Sequence, residues 1–177
     1  GEIHERLSLP LGALRLDAFR KKSRRNLAHE IDEGLKKLKW AGLGKDKPFY
    51  AVGGSWRALA QLHMHITEWP LPVIHQHVMP VDASERLVRT LAHISGKSLK
   101  EIPSISSSRA PQLPGAASML RAVTKKLGSS CIITSAYGLR EGLLFQSLPA
   151  AARTQDPLLA ATQEAALRSG RFSDGTD

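Results

Sequence analysis

The most constraining feature of this sequence is a short apolar run that stops at two adjacent glycines and resumes as a helical pattern. Phe49-Tyr50-Ala51-Val52 reads as a strand, and Gly53-Gly54 ends it. Ser55 is then placed to cap a helix, with Trp56, Leu59, Ala60 and His63 along one side. A second unit of the same form lies near the other end. Cys131 to Ser135 reads as a strand, Tyr137-Gly138 as a turn, and Leu139 to about Leu148 as a helix. Strands that feed helices through glycine turns imply α/β layers, with helices covering a sheet.

The remaining segments fit that class with few strands to spare. Residues 2 to 9 mix apolar and polar positions as a partly covered strand would, before Pro10-Leu11-Gly12 punctuates the chain. From about Leu14 to Ala41 the pattern is helical, with Leu27, Ile31, Leu35 and Leu38 stacked on one face and Gly42 and Gly44 as its stop. Residues 69 to 80 contain Pro70, Pro72 and Pro80 and predict irregular chain or a short edge strand. Ser84 to Ile94 predicts a helix with Leu87, Val88 and Leu91 inward. Residues 95 to 111 predict mainly loop, with a helical turn near Leu99. Pro114-Gly115 opens a helix through Ala116, Leu120, Val123 and Leu127 that Gly128 closes. After Pro149, Asp156-Pro157 predicts the start of an amphipathic helix, and residues 173 to 177 predict unstructured chain. No internal repeat is visible. Three strands are few for this many helices, so an incomplete sheet with an open edge is expected.

Composition narrows the partners more than the fold. The 177 residues carry 25 Lys and Arg against 16 Asp and Glu, a net charge of +9, which favours polyanions such as nucleic acid, polyphosphate, nucleotides or an anionic membrane surface without choosing among them. Aromatic residues are only 5%, which weakens single-strand binding by base stacking. No apolar run reaches the ~20 residues of a membrane-spanning helix, so no membrane partner is expected. Cys131 is the one cysteine, which excludes an internal disulfide and fits a reducing, cytoplasmic compartment. Its apolar neighbours read as a buried strand, so a small core side chain is expected there. A chain that begins at Gly1 with no signal pattern is expected to be a processed or truncated product.

Candidate chemistry gathers at the glycine turns. Glycines directly after a strand let a ligand approach the backbone, and the first free amides of the next helix favour an anion. Gly53, Gly54 and Ser55 therefore form a candidate phosphate site to which Arg57 adds a charged fork. A plain strand-to-helix turn has the same pattern. At the second turn, Arg140 and Glu141 either border a phosphate or metal site or make structural links. Arg109 ends the hydroxyl-rich run Ser106-Ser107-Ser108, as a phosphate contact or as an ordinary surface residue. The basic run from Arg20 to Arg25, with Lys36, Lys37 and Lys39, reads either as a solvated helix face or as a collector of polyanions. His63 and His65, two apart on a helix, point to different faces. His75 and His77 would share a face on a strand, yet no further ligand stands at metal-site spacing. No catalytic triad, carboxylate dyad or P-loop is present, so no catalytic residue and no metal ligand is assigned.

Taken together, the segments resemble the Ppx/GppA phosphatase family, specifically its second actin-like domain. Ser8-Leu9-Pro10-Leu11-Gly12-Ala13-Leu14-Arg15-Leu16 is similar to the stretch after that domain's phosphate loop. Ala51-Val52-Gly53-Gly54-Ser55-Trp56-Arg57-Ala58-Leu59-Ala60 resembles its later glycine-pair motif. Ser106-Ser107-Ser108-Arg109, Leu113-Pro114-Gly115-Ala116 and Gly138-Leu139-Arg140-Glu141-Gly142-Leu143-Leu144 follow in the family's order. The resemblance covers about residues 2 to 148.

It implies an RNase H-like (actin-like ATPase) α/β domain, helices packed on a mixed sheet, in truncated form. Residues 1–148 would be the second domain without its first strands and phosphate loop, and 149–177 a linker helix and disordered tail. Family members hydrolyse the terminal phosphate of polyphosphate or the γ-phosphate of guanosine pentaphosphate, usually with Mg2+, in a cleft between two domains. By resemblance Gly53, Gly54, Ser55 and Arg57 would line that cleft and Arg109 would approach the phosphate chain. Arg140 and Glu141 match the closing motif, with a structural role as open as contact. The family's catalytic glutamate belongs to the absent first domain, so this chain alone is expected to be inactive. The expected partners are that first domain, the phosphate substrate and a second copy in a homo-oligomer. Two alternatives stay open: a free-standing polyanion or nucleic-acid binder, and a piece of a sugar kinase or other actin-like ATPase.

Overall fold

The structure, a computed structural model, describes residues 5–102 and 104–169. It divides into two compact units, residues 1–137 and residues 138–177. Among the described residues the first holds a three-stranded sheet and six α-helices. β1 (Phe49–Val52), β2 (His77–Pro80) and β3 (Cys131–Ser135) lie in the order β1-β3-β2. β1 runs parallel to β3 with Phe49 opposite Ile132 and Val52 opposite Ser135. β2 runs antiparallel to β3 with His77 opposite Thr134 and Pro80 opposite Cys131. The sheet is therefore mixed, with β3 central and Ile132 and Thr134 fully buried. The proline-rich stretch ends in an edge strand, where Pro80 is tolerated. β1 is the other edge, paired only with β3 among the described residues.

The strand expected at residues 2 to 9 is absent from its described part, residues 5 to 9, which make no ladder. Residues 5 to 8 are exposed, so their alternation has no buried face to favour a strand; Leu9 instead packs on the helices. Residues 2 to 4 lie outside the described residues. The helical stretch from Leu14 is two helices, α1 (Ala13–Lys22) and α2 (Arg24–Leu35). Ser23 separates them in an extended conformation, and its hydroxyl accepts from the Asn26 amide at 2.9 Å. The break falls within the polar run Arg20 to Asn26, where a serine hydroxyl caps the second helix. Leu27, Ile31, Leu35 and Leu38 are buried, as their spacing predicts, although the last lies past the helix in a tight turn. A 3-10 turn at Ala41–Gly44 leads to the sheet.

α3 (Gly54–Ile66) follows β1 and buries Ala58, Leu59, Ala60 and Leu62. α4 (Asp82–His93), α5 (Gly96–Lys100) and α6 (Leu113–Leu127) complete the unit. α6 joins two cores. Ala116, Ala117 and Leu120 pack with α3, α4 and the sheet, whereas Met119 and Val123 pack with α1 and α2. Leu59, Leu62, Leu113 and Leu120 are wholly buried, each contributing roughly 1.5–3 kcal/mol. This packing fixes the axis of α3, and hence the place of its first turn.

The second unit is helical: α7 (Leu139–Ser147), α8 (Ala150–Arg153) and α9 (Pro157–Ser169). Neither α7 nor α8 buries a residue. No described helix is long and apolar enough to cross a membrane. The tail expected at residues 173–177 lies outside the described residues.

Candidate functional site

The parallel strands β1 and β3 both lead to glycine turns, and the first is built like an anion cradle. Gly53 has φ 128° and ψ 164°, a conformation that side chains with a Cβ resist. Gly54 is already the first helical residue. Ser55 therefore falls inside the first turn and does not cap the helix as its sequence position suggested. The cap position belongs to Gly53, which has no side chain to offer. The opening amides of α3 consequently carry no side-chain acceptor, and the helix dipole adds partial positive charge there.

One side chain does cover the turn, and it is a cation. A Cβ on Gly54 would stand 2.1 Å from Nη1 of Arg109 and 2.4 Å from its Cζ, so the guanidinium lies directly on the glycine. Arg109 is positioned by a tight turn in which its amide donates to the Ser106 carbonyl at 2.9 Å. The Ser106 and Ser108 hydroxyls sit 3.2 Å apart in the same turn. Arg109 is exposed and makes no ion pair among the described residues. The structure thus joins Gly53, Gly54, Ser55 and Arg109, which are separated by over fifty positions in sequence. Arg57 plays a different part, donating from Nη1 to the Ala136 carbonyl at 2.9 Å just beyond β3.

The second unit opens on the other turn. Gly138 is extended, with φ −135° and ψ −156°, and its amide donates to Oε2 of Glu141 at 2.7 Å. Glu141 thus supplies a carboxylate to the start of its own helix. Arg140 is exposed.

The histidines meet in a pairing that spacing did not indicate. His63 on α3 and His77 on β2 are buried with Nδ1 and Nε2 3.1 Å apart, and the Trp69 ring stands edge-on to His77 at 4.9 Å. Burial pushes both imidazoles below the ordinary value. For His63, the neighbouring His77 and Arg86 add to the effect and Asp82 opposes it. His75 precedes β2 and turns elsewhere, so His75 and His77 do not form a chelating pair. Among the described residues, no group of three or more His, Cys, Asp and Glu side chains stands together. These residues by themselves do not fit a magnesium centre. Cys131 is half-buried. In the basic run, Arg20 and Lys21 pair with the buried Asp17 at 3.0 and 2.9 Å. Burial would raise that carboxyl, but hydrogen bonds from Lys21 and Arg20 hold it below the ordinary value.

The fold has close counterparts. The crystal structure of the type II variant of the Aquifex aeolicus Ppx/GppA phosphatase superposes with a TM-score of 0.67 at 22% identity, over 84% of this chain and 51% of that one. An exopolyphosphatase from Cytophaga hutchinsonii superposes with a TM-score of 0.71 at 22% identity, over 82% of this chain and 50% of that one. The chain thus spans about half the length of these structures. No curated protein matches it in sequence. The actin-like ATPase fold expected from the motifs is the fold observed. The sequence profile of the Ppx/GppA phosphatase family matches residues 1–151 of the 177, and the chain belongs to that family.

Proposed function

We propose that this chain forms one wall of the substrate cleft of an exopolyphosphatase, gripping phosphate at the first turn of α3. The parent protein would release terminal phosphate from polyphosphate, or the γ-phosphate of guanosine pentaphosphate. The observation that carries the reading is the Arg109 guanidinium lying on Gly54, at a helix start with no side-chain cap. Uncapped amides and a guanidinium offer phosphate oxygens a set of donors on one spot. Gly53 and Gly54 keep the backbone bare, Ser55 adds a hydroxyl, and Arg57 braces the turn through Ala136. Glu141 shapes the second turn through its bond to the Gly138 amide, and Arg140 stands exposed beside it, open to a phosphate.

Hydrolysis also needs a positioned water, a base and stabilised charge on the leaving oxygens. This chain supplies part of the last, so phosphate release by it alone should stay at background. Magnesium and the rest of the cleft would come with the parent's other domain, and a homo-oligomer in the cytoplasm is its proposed setting.

Calorimetric titration with tripolyphosphate tests the reading. Arg109→Ala should weaken binding about tenfold or more, the usual scale for a lost charge-assisted contact. Replacing Lys22 and Arg25 of the basic run with alanine should change it little. Equal losses from both changes would mean diffuse attraction to a basic surface and would refute the site.

A further inference from the structure

Ala136, the first residue beyond β3, has both of its backbone polar groups taken by side chains from distant parts of the chain. Its carbonyl accepts from Arg57 Nη1 at 2.9 Å, and its amide donates to His75 Nδ1 at 3.4 Å. The His75 ring also rests against Tyr137, with centroids 4.5 Å apart and planes tilted by 51°. The next amide in the chain, that of Gln76, donates to the Thr134 carbonyl at 2.9 Å. The loop before β2 is therefore stitched to the end of β3 at two successive residues, and His75 is half-buried within that stitch. With Nδ1 accepting, the imidazole proton sits on Nε2.

The Ala136 carbonyl shares its peptide unit with the Tyr137 amide, which donates to Ser135 Oγ at 3.1 Å. His75 holds the same residue from its other side, through the Ala136 amide, and packs against the Tyr137 ring. The carbonyl in turn fixes Arg57, which stands three residues after Gly54, one turn along the same side of α3. Without that anchor, Arg57 no longer ties the first turn of α3, with its bare amides, to the end of β3. We infer that His75 is a positioning residue for the phosphate turn, fixing the backbone at Ala136 and, through the Ala136 carbonyl, the Arg57 guanidinium. It makes no contact with substrate in this scheme. The inference rests on the phosphate reading proposed above, but its structural half is measurable without any phosphate.

The test uses His75→Ala and His75→Asn. The Asn side chain can place an amide oxygen where the imidazole offered Nδ1. Nitrogen–proton spectra should show the Ala136 amide and the Arg57 side-chain N–H protected from exchange in the natural chain. Both should lose protection in His75→Ala and regain most of it in His75→Asn. Tripolyphosphate affinity should fall about three- to tenfold in the first variant and recover in the second, the scale of one lost hydrogen bond. Unchanged Ala136 and Arg57 signals in His75→Ala overturn the inference. So does a shift of those signals with affinity untouched, because the link to the turn is then missing. Failure of the natural chain to bind tripolyphosphate refutes the phosphate reading instead, and the spectra tell the two failures apart.

Discussion

The two glycine turns look alike in sequence and differ in what already occupies them. Each follows a strand and opens a helix. At the first, Gly53 has a positive φ and Gly54 lies beneath a guanidinium, while the helix amides have no side-chain cap. At the second, Gly138 is extended and its amide is held by the Glu141 carboxylate. The first turn presents positive charge that no ion pair takes up among the described residues. The second has an internal anion, which would repel a phosphate. The anchoring differs as well: α3 buries six residues, including Leu59 and Leu62, whereas α7 buries none. A strand–glycine–helix signature therefore marks a place where an anion can bind, and the following residues decide whether the protein fills it itself.

The sharpest way to break this contrast is at the glycines themselves. Gly53→Ala forces a Cβ into a backbone region that only glycine adopts readily, and should cost about 1–3 kcal/mol in urea-induced unfolding of the first unit. If Gly53→Ala proves as mild as a change at Gly138, the first turn is not conformationally specialised and the comparison collapses.

A second test concerns how α3 is held. His63 sits on the buried face of that helix against His77, and burial lowers both imidazoles. The sign follows from proton uptake. With folded values depressed, the unfolded chain binds protons first as pH falls. The stabilisation is complete above the ordinary value of 6.5 and is lost as pH drops through the lowered folded values. Melting of the first unit should therefore move to lower temperature between pH 7 and pH 5. The double variant His63→Gln/His77→Gln should flatten that dependence. Asp17, held below the ordinary carboxyl value, does not intrude on this window. A natural chain whose melting is equally flat would show that the pair does not restrain α3.

Much of this was legible in the residues, and the exceptions have physical causes. The 49–52 and 131–135 strands, the α6 pattern and the edge character of 77–80 follow from periodicity and proline. The break at Ser23 lies in a run of seven polar residues, Arg20 to Asn26, which interrupts the apolar stripe; the periodicity from Leu27 onward carried no sign of where the helix before it ended. The open chain at residues 5 to 8 was misread as a strand because alternation says nothing about whether a face is covered. At the site, Gly53, Gly54 and Arg109 were each visible, but their meeting was not, since contact across fifty residues is a property of the fold. The same applies to His63 with His77 and to His75 with Ala136. Sequence spacing paired the histidines by proximity along the chain, whereas α3 and β2 pair them by packing.

The smallest expected effect is the one that sharpens the comparison most. Gly138 has an extended backbone, and a Cβ there would meet only Oε2 of Glu141 at 3.5 Å, an ordinary contact. Gly138→Ala should thus be neutral, or even stabilising by about 0.4–1 kcal/mol through the reduced freedom of the unfolded chain. Amide exchange across α7 is the suitable measurement, because it reports on the second unit alone. Glu141→Ala provides the counterpart: with the carboxylate gone, the Gly138 amide loses its acceptor and exchange in the first turn of α7 should quicken. If tripolyphosphate then protected that amide in Glu141→Ala but not in the natural chain, the two turns would share one latent chemistry. The carboxylate at position 141 would be what keeps the second turn out of use.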